Sequence, residues 1–168
     1  MSKKEKNILI TSTDLILLNT LLYLYDKLKS PVSIPDIEKE TGIRYTTIRY
    51  SINKFKKLGI LEEHKIEKRG VPVTGYVPKT KTILVIDKNY LLVILDDLVI
   101  PLNPSFIDFS PYIGKTLPLD QAPDVIKTIV EQIHKDLGSL VEYGLLLKRD
   151  YLDILFQQYM EMRKQLYS

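Results

Sequence analysis

From Ile34 to Ile60 the chain reads IPDIEKETGIRYTTIRYSINKFKKLGI, and this stretch constrains the fold more than any other. Pro35 suits the first turn of a helix, where its missing N–H would have no partner in any case, with Ser33 or Ile34 near the cap. That helix carries Ile37 inward and stops at Gly42, a residue suited to the left-handed position after a helix. A further helix is expected from about Tyr45 to Leu58. Its apolar residues Ile48, Ile52 and Phe55 recur at +4 and +3 and share one face, and Gly59 closes it. Two short helices around a glycine-containing turn make a helix-turn-helix pattern.

The flanks extend the pattern. Upstream, Leu15, Leu18, Leu22 and Tyr25 recur at helical spacing, with Ser12, Thr13 and Asp14 offering cap oxygens. This helix should stop before Ser30-Pro31, since proline disfavours a helical residue ahead of it. Val32 and Ser33 then form a short extended link. Downstream, Ile60 to Ile66 reads as a strand, Glu67-Lys68-Arg69-Gly70 as a turn, and Val71 to Val77 as the returning strand. Pro72 and Pro78 favour an edge position, where a missing donor is tolerated.

After Lys79 the pattern changes. Thr82 to Ile86, Tyr90 to Leu95 and Leu98 to Leu102 are three apolar runs separated by Asp87-Lys88-Asn89 and Asp96-Asp97, consistent with a small β-meander. The middle run also suits a buried helical turn. Residues Asn103 to Pro123 include four prolines and are expected to be irregular. Two helices should finish the chain, at about Asp124 to Val141 and Lys148 to Leu166.

Composition removes several functions. Without cysteine there is no disulfide scaffold, thiolate nucleophile or cysteine-based zinc finger. His64 and His134 are far apart in sequence, so no metal site is expected. No glycine-rich phosphate loop occurs. Glu62-Glu63 and Asp96-Asp97 lack the convergent cleft that acid–base catalysis needs, so no enzyme and no cofactor are expected. The early apolar run from Leu15 to Tyr25 is too short to span a bilayer, and MSKKEKNILITSTD has no signal-peptide pattern. A cytoplasmic protein with no membrane partner is expected.

Charge is distributed unevenly. Up to Lys79 there are 15 Lys and Arg against 9 Asp and Glu, a net of +6; from Thr80 onward there are 9 against 12, a net of −3. A polyanion partner is therefore expected on the first half. With Ile48, Ile52 and Phe55 pointing inward, Arg44, Tyr45, Thr46, Thr47, Arg49, Tyr50 and Asn53 become candidates for base contact. No acidic residue occurs from Ile43 to Leu61. Arg49 offers a bidentate fork to guanine and Asn53 to adenine. Lys54, Lys56, Lys57, Lys68 and Arg69 are candidates for phosphate contact. The eleven tyrosines fall mostly at helical or strand spacing and read as core or rim residues.

The recognition segment Thr47, Ile48, Ile52, Phe55, Gly59, followed by a hairpin with the basic tip Lys68-Arg69-Gly70, resembles the winged helix-turn-helix superfamily of bacterial and archaeal DNA-binding regulators. The resemblance covers about Asp14 to Val77. It implies an α+β fold, with a winged helix-turn-helix DNA-binding domain at 1–79. A β-meander and two helices at 80–168 would serve dimerisation or effector binding. It further implies a sequence-specific transcriptional regulator of double-stranded DNA, with a recognition helix in the major groove and a wing on flanking backbone. A replication or maintenance protein of a plasmid or virus, or a protein-docking module of a transcription complex, are the alternatives. Abundant Ile, Lys and Tyr without Cys fits a thermophilic, archaeal or viral source. In the last helix, Leu152, Leu155, Tyr159, Met162 and Leu166 follow 3, 4, 3, 4 spacing, a heptad seam suited to a homodimer. Ile126, Ile129, Ile133 and Leu137 form a similar stripe on the helix before it. An effector ligand cannot be read from these residues.

Overall fold

In a computed structural model, residues 10–104 and 106–142 are described, together with Gln157. The proposed seam at Leu152, Leu155, Tyr159, Met162 and Leu166 lies outside the described residues. The chain is α+β: three helices, then antiparallel sheets, then a further helix.

The helices are α1 (Ser12–Leu28), α2 (Ile34–Thr41) and α3 (Tyr45–Lys57). The cap of α1 falls on Thr11, one residue before the expected group. Its hydroxyl accepts from the Asp14 N–H, while the Asp14 carboxylate accepts from the Thr11 N–H. Such a capping box satisfies two orphan amides at once, which Ser12 or Thr13 does not achieve here. Ser33 and Asp36 form a second box on α2, with Pro35 in its first turn. The apolar residues of α1 run almost around its circumference, and Leu15, Leu17, Leu18, Leu21, Leu22 and Leu24 are all buried. A helix of that kind needs cover on several sides. It has that cover, packing against α2, α3 and elements from both later sheets.

A hairpin follows α3: β1 (Leu61–Lys68) and β2 (Val71–Pro78), paired antiparallel from Leu61↔Pro78 to Lys68↔Val71. The two-residue connection Arg69-Gly70 has positive φ at both positions, 53° and 76°. That is the requirement of a type I′ turn, whose twist matches the flanking strands. At its base the hairpin is tied to the helices by a third piece of extended chain. The Val32 N–H donates to the Tyr76 carbonyl at 2.9 Å and the Tyr76 N–H donates to the Val32 carbonyl at 2.8 Å. Gly75 makes this approach possible, because a Cβ there would lie 2.6 Å from Cβ of Pro31.

The second sheet has four short strands: β3 (Thr82–Val85), β4 (Leu91–Ile94), β5 (Val99–Leu102) and β6 (Thr116–Pro118), in the order β5-β4-β3-β6. The expected meander supplies β3, β4 and β5, with the middle run a strand. β6 corrects the expectation of an irregular 103–123. Its Thr116, Leu117 and Pro118 pair with Leu84, Ile83 and Thr82. Proline can close such an edge strand because the edge needs no donor outward. Alternate side chains go to opposite faces. Leu84, Leu92, Ile94 and Val99 join the core built by α1, α2 and α3. Ile83, Val85, Leu91, Val93 and Ile100 join a second core with Ile126 and Val130 of α4 (Asp124–Glu142). The α1-side core thus continues across residue 79, and Asn19 of α1 accepts from the Val99 N–H at 3.2 Å. Among the described residues, no helix is long and apolar enough to cross a membrane.

Candidate functional site

The third helix divides into two faces as its periodicity requires. Ile48, Ile52 and Phe55 are buried. Arg44, Tyr45, Thr46, Thr47, Arg49, Tyr50 and Asn53 are all exposed, Tyr50 at 70%. Lys56 and Lys57 extend the same exposed surface toward the C-terminal end.

The N-terminus of α3 differs from those of α1 and α2. Arg44 occupies the cap position without a side-chain hydrogen bond, and the first turn contains no acidic residue. The other two helices each end in a carboxylate that neutralises the positive end of the helix dipole. In α3 no carboxylate of the first turn neutralises that end, and Arg44 adds a further positive charge beside it.

A buried polar knot holds α3 in place. Ser51 faces inward and donates its hydroxyl to Asp14 Oδ1 at 2.6 Å, and the Lys54 ammonium pairs with Asp14 Oδ2. The Asp14 side chain is 2% exposed and that of Lys54 20%. Burial by itself would raise the Asp14 carboxyl. Hydrogen bonds from Lys54, Ser51 and the Thr11 N–H outweigh it and hold the group below its ordinary value of 3.8. The structure therefore places Lys54, a phosphate candidate on sequence grounds, in an ion pair that fixes the angle of α3 against α1. Its ammonium also lies over the Tyr50 ring, 5.4 Å from the ring centre.

Lys68 is likewise engaged within the protein. Its ammonium pairs with Asp36 and lies 3.3 Å from the Ser33 hydroxyl, so the end of β1 is latched to the N-terminus of α2. Asp36 is lowered in the same manner as Asp14: burial opposes, and the bonds from Lys68 and from the Ser33 N–H and hydroxyl prevail. Arg69, at the tip, is exposed. Arg44, Arg49, Lys57 and Arg69 make no ion pair among the described residues.

Between α3 and the hairpin runs an open groove of about 380 Å³. Tyr45, Arg49, Asn53 and Lys56 line one wall, with Glu63, Thr74 and Tyr76 on the other. Sequence reasoning missed the second wall. Glu63 and Tyr76 are partners in the hairpin register, and Glu63 reaches Lys56 at 3.1 Å. Burial, then the charge of Glu63, pushes the Tyr76 phenol above its usual range. Alternation along β1 signals which residues share a face, but not that Glu63 faces α3. His64 is exposed on β1, with Nε2 3.6 Å from Glu62. His134, partly buried on α4, meets Asp97 at 3.1 Å. Among the described residues, no cluster of three or more His, Asp or Glu side chains suited to a metal occurs.

No protein-family model matches the chain, and a search of curated proteins found no similar sequence.

Proposed function

We propose that this protein is a winged helix-turn-helix regulator that binds duplex DNA in a sequence-specific way. α3 enters the major groove and the hairpin acts as the wing, its tip Arg69 on flanking backbone. The observation that carries the reading is the asymmetry of the three helix starts. Only α3 lacks a carboxylate in its first turn, and it is the helix whose outer face carries Arg44, Arg49 and Asn53. Phosphates contribute most of the affinity and are attracted by such an end, whereas base edges discriminate through Arg49 and Asn53. The position of Arg69 supports the same division of labour. Arg69 sits exposed at the tip, where its guanidinium can reach a phosphate.

Regulation of transcription in the cytoplasm by a homodimer is the fuller form of this proposal. One such helix reads few base pairs, and two copies would match half-sites about one helical turn apart. Exposed Tyr45, Tyr50 and Val71 favour a second reading, a docking surface for another protein.

A fluorescence-anisotropy titration of the full chain against the DNA upstream of its own gene, at several salt concentrations, separates the two. DNA recognition predicts binding that weakens steeply with salt. Arg49→Ala should cost about 1–3 kcal/mol and relax sequence preference. Absence of duplex binding at low salt would overturn the proposal and leave the docking surface. Light scattering tests the dimer, which a mass of 19.5 kDa would exclude.

A further inference from the structure

We infer that Glu63 determines specificity in the groove between α3 and the hairpin, by occupying Lys56 and barring phosphate so that base edges are admitted instead. This inference rests on the DNA reading above. Glu63 Oε1 and Lys56 Nζ are 3.1 Å apart, with side chains 42% and 36% exposed, so the pair sits at the solvent surface of the groove. The other charged or titratable side chains lining it are Arg49, Tyr45 and Tyr76. The register places Tyr76 opposite Glu63, and burial, then the Glu63 charge, raises its phenol above the usual range.

A groove lined by Arg49 and Lys56 alone would attract any phosphate. A carboxylate on the facing wall reverses that preference at short range, because a phosphate entering there would face a second anion. An amino group on a base edge, cytosine N4 or adenine N6, meets an acceptor instead. Arg44, Lys57 and Arg69 remain for the backbone around the rim. Specificity is a difference of affinities, and a local repulsion that weakens sequence-independent binding raises it as effectively as a new attraction does.

The test uses the full chain and the isosteric variant Glu63→Gln. Affinity is measured for a random-sequence duplex and for a duplex selected from a random pool by the unsubstituted protein, over a range of salt. Glu63→Gln should bind the random duplex about threefold to tenfold more tightly. Its salt dependence should steepen by about one ion as Lys56 becomes available to a phosphate. The selected duplex should gain less, or weaken, so the ratio of the two affinities falls. In a Lys56→Ala background the extra ion should not appear. Equal gains on both duplexes, or no change on either, would overturn the role of Glu63 while leaving DNA binding intact. Failure of the unsubstituted protein to bind either duplex at low salt would overturn the DNA reading and this inference together. Circular dichroism of the variant checks that the hairpin is retained.

Discussion

The two antiparallel sheets of this protein are built on opposite principles. In the second sheet, strands β4 and β5 have every residue buried, with helices over both faces. In the hairpin, β1 has one buried residue, Leu61, and seven that are exposed or half-buried, most of them charged. The first kind of sheet is held by apolar area removed from water on both sides. The second is held by its ladder and a few anchors: the Val32–Tyr76 bridge, the close seat of Gly75 on Pro31, and the Lys68–Asp36 latch. The hairpin adds Leu61 and Tyr76 to the core, while most of β1 faces solvent. The contrast separates a largely solvent-facing strand β1 beside α3 from a sheet buried on both faces.

The comparison can be broken or sharpened by substitution. The largest effect is expected in the buried sheet. Leu92 is fully buried at the centre of β4, and Leu92→Ala should cost about 2–5 kcal/mol in chemical denaturation, with loss of α3 along with the rest. A selective loss of the second sheet alone would show that the continuous core does not couple them. Next comes the knot beneath α3. Asp14→Ala removes a cap and leaves Lys54 without its carboxylate, at a cost of about 3 kcal/mol.

The same knot sets an acid dependence. Asp14 and Asp36 both titrate below their unfolded value in the folded protein, so their contribution is present above about pH 4 and is lost as pH falls through the folded values. Thermal melts from neutral to acid pH should show a smaller acid loss for Asp14→Asn than for the unsubstituted chain. Parallel curves would remove Asp14 from the account.

Smaller effects are expected in the hairpin. Gly75→Ala forces a methyl against Pro31 and should cost about 1–3 kcal/mol, visible as a lowered melting temperature. Arg69→Asn relieves the left-handed arginine and should raise stability by up to about 1 kcal/mol while weakening duplex binding. Stability and binding moving in opposite directions would be the signature of a residue kept for its charge. A loss of both would mark Arg69 as structural.

Much of this arrangement was legible from residue order. The inward set Ile48, Ile52 and Phe55 and the outward set from Arg44 to Asn53 follow from a period of 3.6, a local property of the helix. The hairpin was legible in outline from the turn signal Glu67-Lys68-Arg69-Gly70, but β1 runs on to Lys68 and the turn itself is only Arg69-Gly70, because the ladder pairs Glu67 with Pro72 and Lys68 with Val71. The fates of Lys54 and Lys68 were not legible. Their partners, Asp14 and Asp36, lie 40 and 32 residues earlier, and no local pattern links them. β6 was obscured by its prolines, and three residues carry no periodicity long enough to read. The continuation of the α1-side core across residue 79 was hidden too, because a shift in charge marks the surface and says nothing about burial.

The sequence by itself thus determined α1 to α4 and the polar face of α3, because each depends on neighbours within a few residues; the helix expected at Lys148 to Leu166 lies outside the described residues. Only the tertiary structure decided which cations remain available. Lys54 and Lys68 are engaged by carboxylates brought from distant positions, Lys56 is shared with Glu63, and Arg44, Arg49, Lys57 and Arg69 make no ion pair among the described residues. The physical reason is that charge counts along a chain, whereas ion pairing depends on proximity, and proximity between α3, α1 and the hairpin exists only once the core has closed.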